Sequence, residues 1–203
     1  MRRDGRISSA AVDARKVARA VALTGAAVAV GAWTSSGRGR EADDRAFAAL
    51  NAERGPGADA FFGGITELGS IWASVSAGAV LALAGRRSAA ARGLAAAGTA
   101  WLAGQGLKKV FLRPRPYTAS PEATRLLIGA PPATSWPSSH PAVLLAFTTA
   151  AGRELGAGRT ARLGLDALGL VVGASRTYLG VHYPADVIGG VLLGRAVAVA
   201  LER

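Results

Sequence analysis

The 203-residue chain has no cysteine, only two histidines, and only three lysines among its 24 basic residues. Without cysteine, neither a disulfide nor a thiolate metal site can form. Aromatic residues make up just 6%, although half of the chain is apolar. The apolar share is mostly Ala, Val and Leu, joined by 27 glycines. That mixture would make a loose soluble core, but it suits helices in lipid, where small side chains let backbones approach closely. Acidic residues are few as well: 13 against 24 basic ones leave a net charge of +11. Such an excess fits nucleic acid or an anionic lipid surface. The basic residues, however, fall in short clusters between apolar stretches rather than along one helical face. The pattern favours membrane topology and argues against nucleic acid as a partner.

Six apolar segments are expected, at about 17–34, 65–84, 93–111, 141–157, 163–178 and 184–201. Each approaches the roughly 20 residues that cross about 30 Å of hydrocarbon, the fourth and fifth being short. All six are expected to be helices, because a spanning segment must satisfy its own backbone hydrogen bonds. The fold class is therefore all-α, a polytopic membrane bundle of about six transmembrane helices, and the length suits a single domain over 1–203. Basic residues set the orientation. Arg2, Arg3, Arg6, Arg15, Lys16 and Arg19 mark a cytoplasmic tail over 1–16 and its junction with the first segment. Arg86, Arg87 and Arg92, then Arg153, Arg159 and Arg162, mark two further cytoplasmic connections. Both termini then lie inside, and loops 35–64, 112–140 and 179–183 face outward. In the first outer loop Arg38, Arg40, Arg45 and Arg54 sit among five acidic residues. Residues 43–52 there are expected to form a short interfacial helix with Phe47 and Leu50 toward lipid. A cleavable signal peptide is the competing reading of the first segment, but no clean cleavage site closes it.

Three clusters carry chemistry, and all fall at outer ends of segments. They are Lys108 to Pro116, Pro137 to His140, and Ser175 to Asp186. Both histidines, His140 and His182, come shortly before a proline able to open a helix, Pro141 and Pro184. Each thus sits near a helix N-terminus, where free N–H groups and the helix dipole favour an anion. Ser138 and Ser139 add hydroxyl and backbone donors, although taken alone either could be a simple helix cap. His182 and Asp186 are four apart at a helix start, so the carboxylate can fix the tautomer and leave the other ring nitrogen free to attack. The same spacing could supply metal ligands, but a suitable third and fourth ligand are missing. Lys108, Arg115 and Arg176 would be expensive against lipid and are expected to line a polar cavity, where they suit phosphate oxygens. Lys109 and Arg113 are expected instead to snorkel to headgroups.

These residues resemble the type 2 phosphatidic acid phosphatase superfamily, whose pattern is Lys-x6-Arg-Pro, then Pro-Ser-Gly-His, then Ser-Arg-x5-His-x3-Asp. Lys108 with Arg115-Pro116, the run Pro137-Ser138-Ser139-His140, and Ser175-Arg176 with His182 and Asp186 reproduce its order and spacing over 108–186. Ser139 stands where the family has glycine. A position requiring positive φ would make serine cost on the order of 1 kcal/mol, whereas use of its backbone N–H alone would not. The resemblance implies that His182 attacks phosphorus, that Asp186 orients it, and that His140 protonates the leaving oxygen and then activates water. It further implies that Lys108, Arg115, Ser138, Ser139 and Arg176 hold the phosphoryl oxygens, with no metal or cofactor.

A site at the outer ends of membrane helices should take a lipid phosphate whose tail stays in the bilayer. The compact size looks similar to bacterial polyprenyl diphosphate phosphatases; phosphatidic acid, phosphatidylglycerol phosphate and a prenyl-phosphosugar are the competing substrates. Residues 117–136 could gate the lipid's access. A soluble relative would need helices with clear polar faces, and 163–174 is apolar around most of its circumference. A non-catalytic lipid-binding protein would need no nucleophile–carboxylate pair.

Overall fold

A computed structural model describes residues 9–132 and 134–202. Arg2, Arg3 and Arg6 of the expected cytoplasmic tail lie outside the described residues. The described chain is helical and holds no strand. In chain order the helices are α1 (Ser9–Trp33), α2 (Gly37–Leu50), α3 (Pro56–Ile65), a 3₁₀ turn (Thr66–Gly69), α4 (Ile71–Leu83), α5 (Arg87–Phe111), α6 (Pro116–Ala119), α7 (Ser139–Glu154), α8 (Arg159–Tyr178) and α9 (Pro184–Ala200). Each of the six apolar segments therefore corresponds to a helix: α1, α4, α5, α7, α8 and α9.

Two boundaries differ from the sequence reading. The second segment begins in the 3₁₀ turn and breaks at Ser70, whose hydroxyl accepts from Ala73 N at 3.0 Å and starts α4 afresh. The axis bends by 63° there. In the fourth segment α7 begins at Ser139, not at Pro141, so His140 lies inside the first turn. Pro141 is tolerated in that turn because the first four N–H groups of a helix have no intrahelical partner.

Helix α7 occupies the centre and packs on α5, α8 and α9; α1 lies outside α9, and α4 outside α5. Small residues make the seams. Ala96 and Ala100 of α5, Ala142 and Ala146 of α7, and Leu193 and Val197 of α9 form one buried cluster. At Gly194 a Cβ would stand 2.4 Å from the carbonyl oxygen of Ala142, so α9 approaches α7 backbone to backbone. Large apolar side chains point outward instead, among them Val21, Trp33, Trp72, Leu83, Leu102, Val110, Leu163 and Ile188. Charged residues are buried at one end of the bundle: Lys108, Arg113, Arg115, Arg176, Asp43 and Asp186. Apolar outside and charged within suits a bundle solvated by lipid.

By length and hydropathy alone, α1 from Asp13 to Trp33 could span a membrane, with a mean hydropathy of 1.2, and the bent pair 56–83 could form a second span. The other helices fall short by that measure: α7 and α9 are brief, while α5 and α8 each carry four charged residues among many Ala and Gly. At the site end, α2 and α3 lie against α8, and α2 also against α9. The expected interfacial helix over 43–52 is thus longer, starting at Gly37, and its outlook is different. Leu50 is exposed, but Phe47 is buried against the Tyr183 ring at 5.4 Å between centroids. Asp43 lies one turn before Phe47 on the same face, so the buried face of α2 follows the buried carboxylate.

Candidate active site

All three sequence clusters meet at the end of the bundle formed by the C-termini of α5 and α8 and the N-termini of α7 and α9. The connecting segment ahead of α7 is held by a backbone bond from Ser135 N to Arg113 O (2.8 Å) and another from Ser138 N to Asp186 O (2.9 Å). Between them the Trp136 indole is fully buried among Phe111, Gly31 of α1 and Gly189 of α9. The Trp136–Pro137 peptide is cis. At Gly190 a Cβ would sit 2.2 Å from Ser138 O, so α9 can meet this turn only through glycine.

His182 lies in the short connection between α8 and α9 and is almost wholly buried. Its Nε2 stands 3.2 Å from Arg115 Nη1. A guanidinium can only donate, so Nε2 presents its lone pair and the ring proton resides on Nδ1. On that side Nδ1 is 3.4 Å from Ser135 Oγ and 3.5 Å from Asp186 Oδ2, while the Ser135 hydroxyl donates to the same carboxylate oxygen at 2.5 Å. Asp186 is fully buried in the first turn of α9, and its Oδ2 also accepts Tyr183 N at 2.8 Å. The expected His182–Asp186 proximity is present, with Ser135 as an additional member. Burial, then the charges of Arg115, Lys108 and Arg176 and the nearby His140, hold the His182 ring well below the ordinary imidazole pKa.

The cations are arranged unequally. Lys108 directs Nζ to three carbonyls, Thr134 O (3.0 Å), Ser135 O (3.1 Å) and Pro137 O (2.8 Å). It thereby holds the turn before α7 and brings its ammonium near Arg115 and Arg176. Arg115 donates to Val181 O (2.9 Å) and Pro132 O (3.3 Å), which ties both flanks of the site together. Arg176 reaches Thr66 Oγ1 of the 3₁₀ turn at 2.7 Å, and its Nε has no partner among the described residues. The hydroxyls of Ser138 and Ser139 are likewise buried without partners. Ser138 occupies the N-cap position of α7 yet makes no side-chain cap. Buried donors of this kind carry a desolvation cost that a bound acceptor would relieve. Ser139 does not have positive φ, so the strain considered for serine there does not arise. Its hydroxyl faces Gly104 of α5. His140, in the next position, is packed against Gly69 of the 3₁₀ turn.

Arg113 corrects the sequence reading. Instead of snorkelling, it is buried, donating from Nη1 to Asp186 Oδ1 (2.9 Å) and from Nη2 to Asp43 Oδ2 (2.6 Å). Its guanidinium lies 4.2 Å from the Tyr183 ring centroid. Asp43 is one of the five acidic residues of 35–64. Nothing in the spacing pointed to it, because the contact spans 70 residues. Lys109 is exposed, as expected. The 117–136 segment is strapped down on several sides. Tyr117 donates to Pro131 O (2.5 Å), Arg125 pairs with Asp59 of α3 (2.5 Å), and Asn51 donates to both Arg125 O and Tyr178 O.

Two solved structures share this architecture. One is the first transmembrane PAP2 type phosphatidylglycerolphosphate phosphatase from Bacillus subtilis, 24% identical, with a TM-score of 0.76 over 90% of this chain and 94% of that one. The other is LpxE of Aquifex aeolicus, 26% identical, with a TM-score of 0.69 over 76% of this chain and 91% of that one. No curated protein matches the chain by sequence. Residues 88–202 match the PAP2 superfamily, a span that covers more than half the chain and contains every motif named above. The chain therefore belongs to the PAP2 superfamily.

Proposed function

We propose that this protein is an integral-membrane lipid phosphatase that hydrolyses a polyprenyl diphosphate or related lipid phosphate through a phosphohistidine, without metal. The observation that carries the reading is the polarity of the His182 ring. Its Nε2 lone pair faces the Arg115 guanidinium, and Nδ1 is turned to Ser135 and Asp186. In the first step Nε2 forms a bond to phosphorus as the bond to the leaving oxygen breaks, and His140 gives that oxygen a proton. In the second, His140 takes a proton from water, the water oxygen bonds to phosphorus, and the N–P bond returns its electron pair to Nε2.

Arg115, Arg176, Ser138 and the Ser139 backbone N–H would hold the phosphoryl oxygens, and Lys108 would add charge while keeping the turn in place. Asp186 would keep Nδ1–H oriented and stabilise the cationic ring. The groups converging on the anion site are guanidiniums and an ammonium, which repel a divalent cation and supply the charge one would otherwise bring. A second substrate, phosphatidylglycerol phosphate, is favoured by the Bacillus subtilis neighbour, a phosphatidylglycerolphosphate phosphatase.

Phosphate release by detergent-solubilised protein in excess EDTA tests the proposal, with polyprenyl diphosphate, phosphatidylglycerol phosphate and phosphatidic acid as substrates. The expected result is turnover that survives EDTA and disappears in His182→Ala. Release that persists in the variant, or that EDTA abolishes, would sink the mechanism. The relative rates rank the lipids.

A further inference from the structure

We propose that Arg113 and Asp43 are positioning residues for His182, with Arg113 clamping the Asp186 carboxylate and Asp43 balancing the charge of the clamp. The inference rests on His182 as nucleophile but concerns residues to which the three motifs assign no role. Arg113 lies among the six unspecified positions of the Lys-x6-Arg-Pro pattern, and Asp43 lies on α2.

The carboxylate of Asp186 is divided between two duties. Oδ2 serves the nucleophile side, accepting Ser135 Oγ and Tyr183 N and facing His182 Nδ1. Oδ1 accepts only from Arg113 among the hydrogen bonds described. Remove that donor and the carboxylate loses one of the two ends that fix its rotation. Arg113 is itself fixed four ways: by Asp186, by Asp43, by the Thr34 hydroxyl at 3.5 Å, and by stacking on Tyr183, the residue next to His182. Asp43 then spends its other oxygen on Ala185 N, in the first turn of α9, at 2.9 Å. One guanidinium therefore grips residues flanking the nucleophile on its C-terminal side, and α2 locks the grip from outside the bundle.

A purely structural explanation is weak here. Burying three charges costs desolvation free energy that their attraction only roughly offsets, and apolar replacements of similar volume often serve stability as well or better. What an apolar set could not do is regulate the charge that His182 senses. The groups facing His182 are Lys108 from the end of α5, Arg115 just ahead of α6, Arg176 from α8, His140 from α7 and Asp186 from α9. Asp186 is the one carboxylate among them, and Arg113 offsets part of its charge. Asp43 in turn offsets part of that of Arg113.

The sign of each substitution follows. Arg113→Gln unmasks Asp186, favours the imidazolium, and should move the acid limb of kcat/KM to higher pH. Asp43→Asn keeps an acceptor for Ala185 N but leaves Arg113 unbalanced, so the limb should move to lower pH. Arg113→Lys keeps the charge but cannot bridge two carboxylates with a planar fork.

The experiment is the pH profile of phosphate release by the purified full chain for wild type, R113Q, R113K, D43N and H182A, with thermal unfolding of each. R113Q should lose kcat by on the order of 100-fold, the scale of a slight misplacement of a reacting group, with KM little changed. R113K should recover part of that loss with its limb in place. Shifts of R113Q and D43N in the same direction, or a stationary limb in both, would overturn the inference. If R113Q does not fold, the downward shift in D43N decides alone. Activity retained in H182A would instead defeat the nucleophile assignment on which the inference stands.

Discussion

The reactivity proposed for His182 would come from what surrounds one ring nitrogen. Burial and three neighbouring cations all oppose a second proton on the ring. Nε2 should therefore stay unprotonated through neutral pH, and the acid limb of kcat/KM should lie below the usual imidazole range near 6.5. Phosphate release measured from pH 4 to 8 checks this, and a limb above 6.5 would contradict it. The same depressed pKa has a stability consequence. The unfolded chain takes up a proton as pH falls through about 6.5 while the folded chain does not, so stability should decline below that point. Ser139 offers a second test at this scale. Its backbone is not in the left-handed region, so Ser139→Gly relieves no strain. In the first turn of α7 glycine should instead lower stability by about 0.5–1 kcal/mol, read as a lower Tm in detergent. A higher Tm would show that serine is strained after all.

Helices were legible in the sequence where apolar runs were long, and motifs were legible where chemistry recurred at fixed spacing. Lys108, Ser138, His140, Arg176, His182 and Asp186 could all be found because each belongs to a short local pattern. Arg113, Asp43, Thr66 and Ser135 could not, because each joins the site through a contact with an element distant in sequence. The burial of Phe47 against Tyr183 is illegible for the same reason: an amphipathic face shows which residues go together, but not whether lipid or protein receives them. The break at Ser70 is a local signal that an apolar run conceals, since a serine cap is visible only once its helix start is known. Packing between elements gives its own prediction. Because a Cβ on Gly190 would stand 2.2 Å from Ser138 O, Gly190→Ala must push α9 from the turn that carries Ser138. Overpacking of this kind costs typically about 1–3 kcal/mol. Activity should fall further than the fraction unfolded, and equal losses would mean that the turn tolerates the shift.

For the whole molecule, the separation of its two ends suggests an orientation. At the site end Arg113, Asp43 and Asp186 are buried and paired with one another, while Arg38, Arg40, Arg45 and Arg54 of the α2 region stand exposed among acidic residues. At the other end, Arg92, Arg153 and Arg195 pair at the surface with Glu154, Glu202 and Asp166, and Arg159 and Arg162 stand exposed. Short loops rich in arginine are retained on the cytoplasmic side, so the exposed basic end should face inward and the site outward. The absence of cysteine makes this direct to test, since any introduced thiol is the only one present. Thr118 is exposed at the site end, in the helix after Arg115, and Ala161 is exposed at the opposite end, in the first turn of α8. In intact cells an impermeant maleimide should label Thr118→Cys and leave Ala161→Cys untouched until the membrane is opened. The reverse pattern would turn the bundle over and place the phosphatase site in the cytoplasm. Its lipid would then have to present phosphate to the inner leaflet, and the basic end would be the exception to the charge rule. Labelling of both sites in sealed cells would mean that one end is not screened by the bilayer at all, which the outward-facing apolar side chains on α1, α4, α5, α8 and α9 argue against.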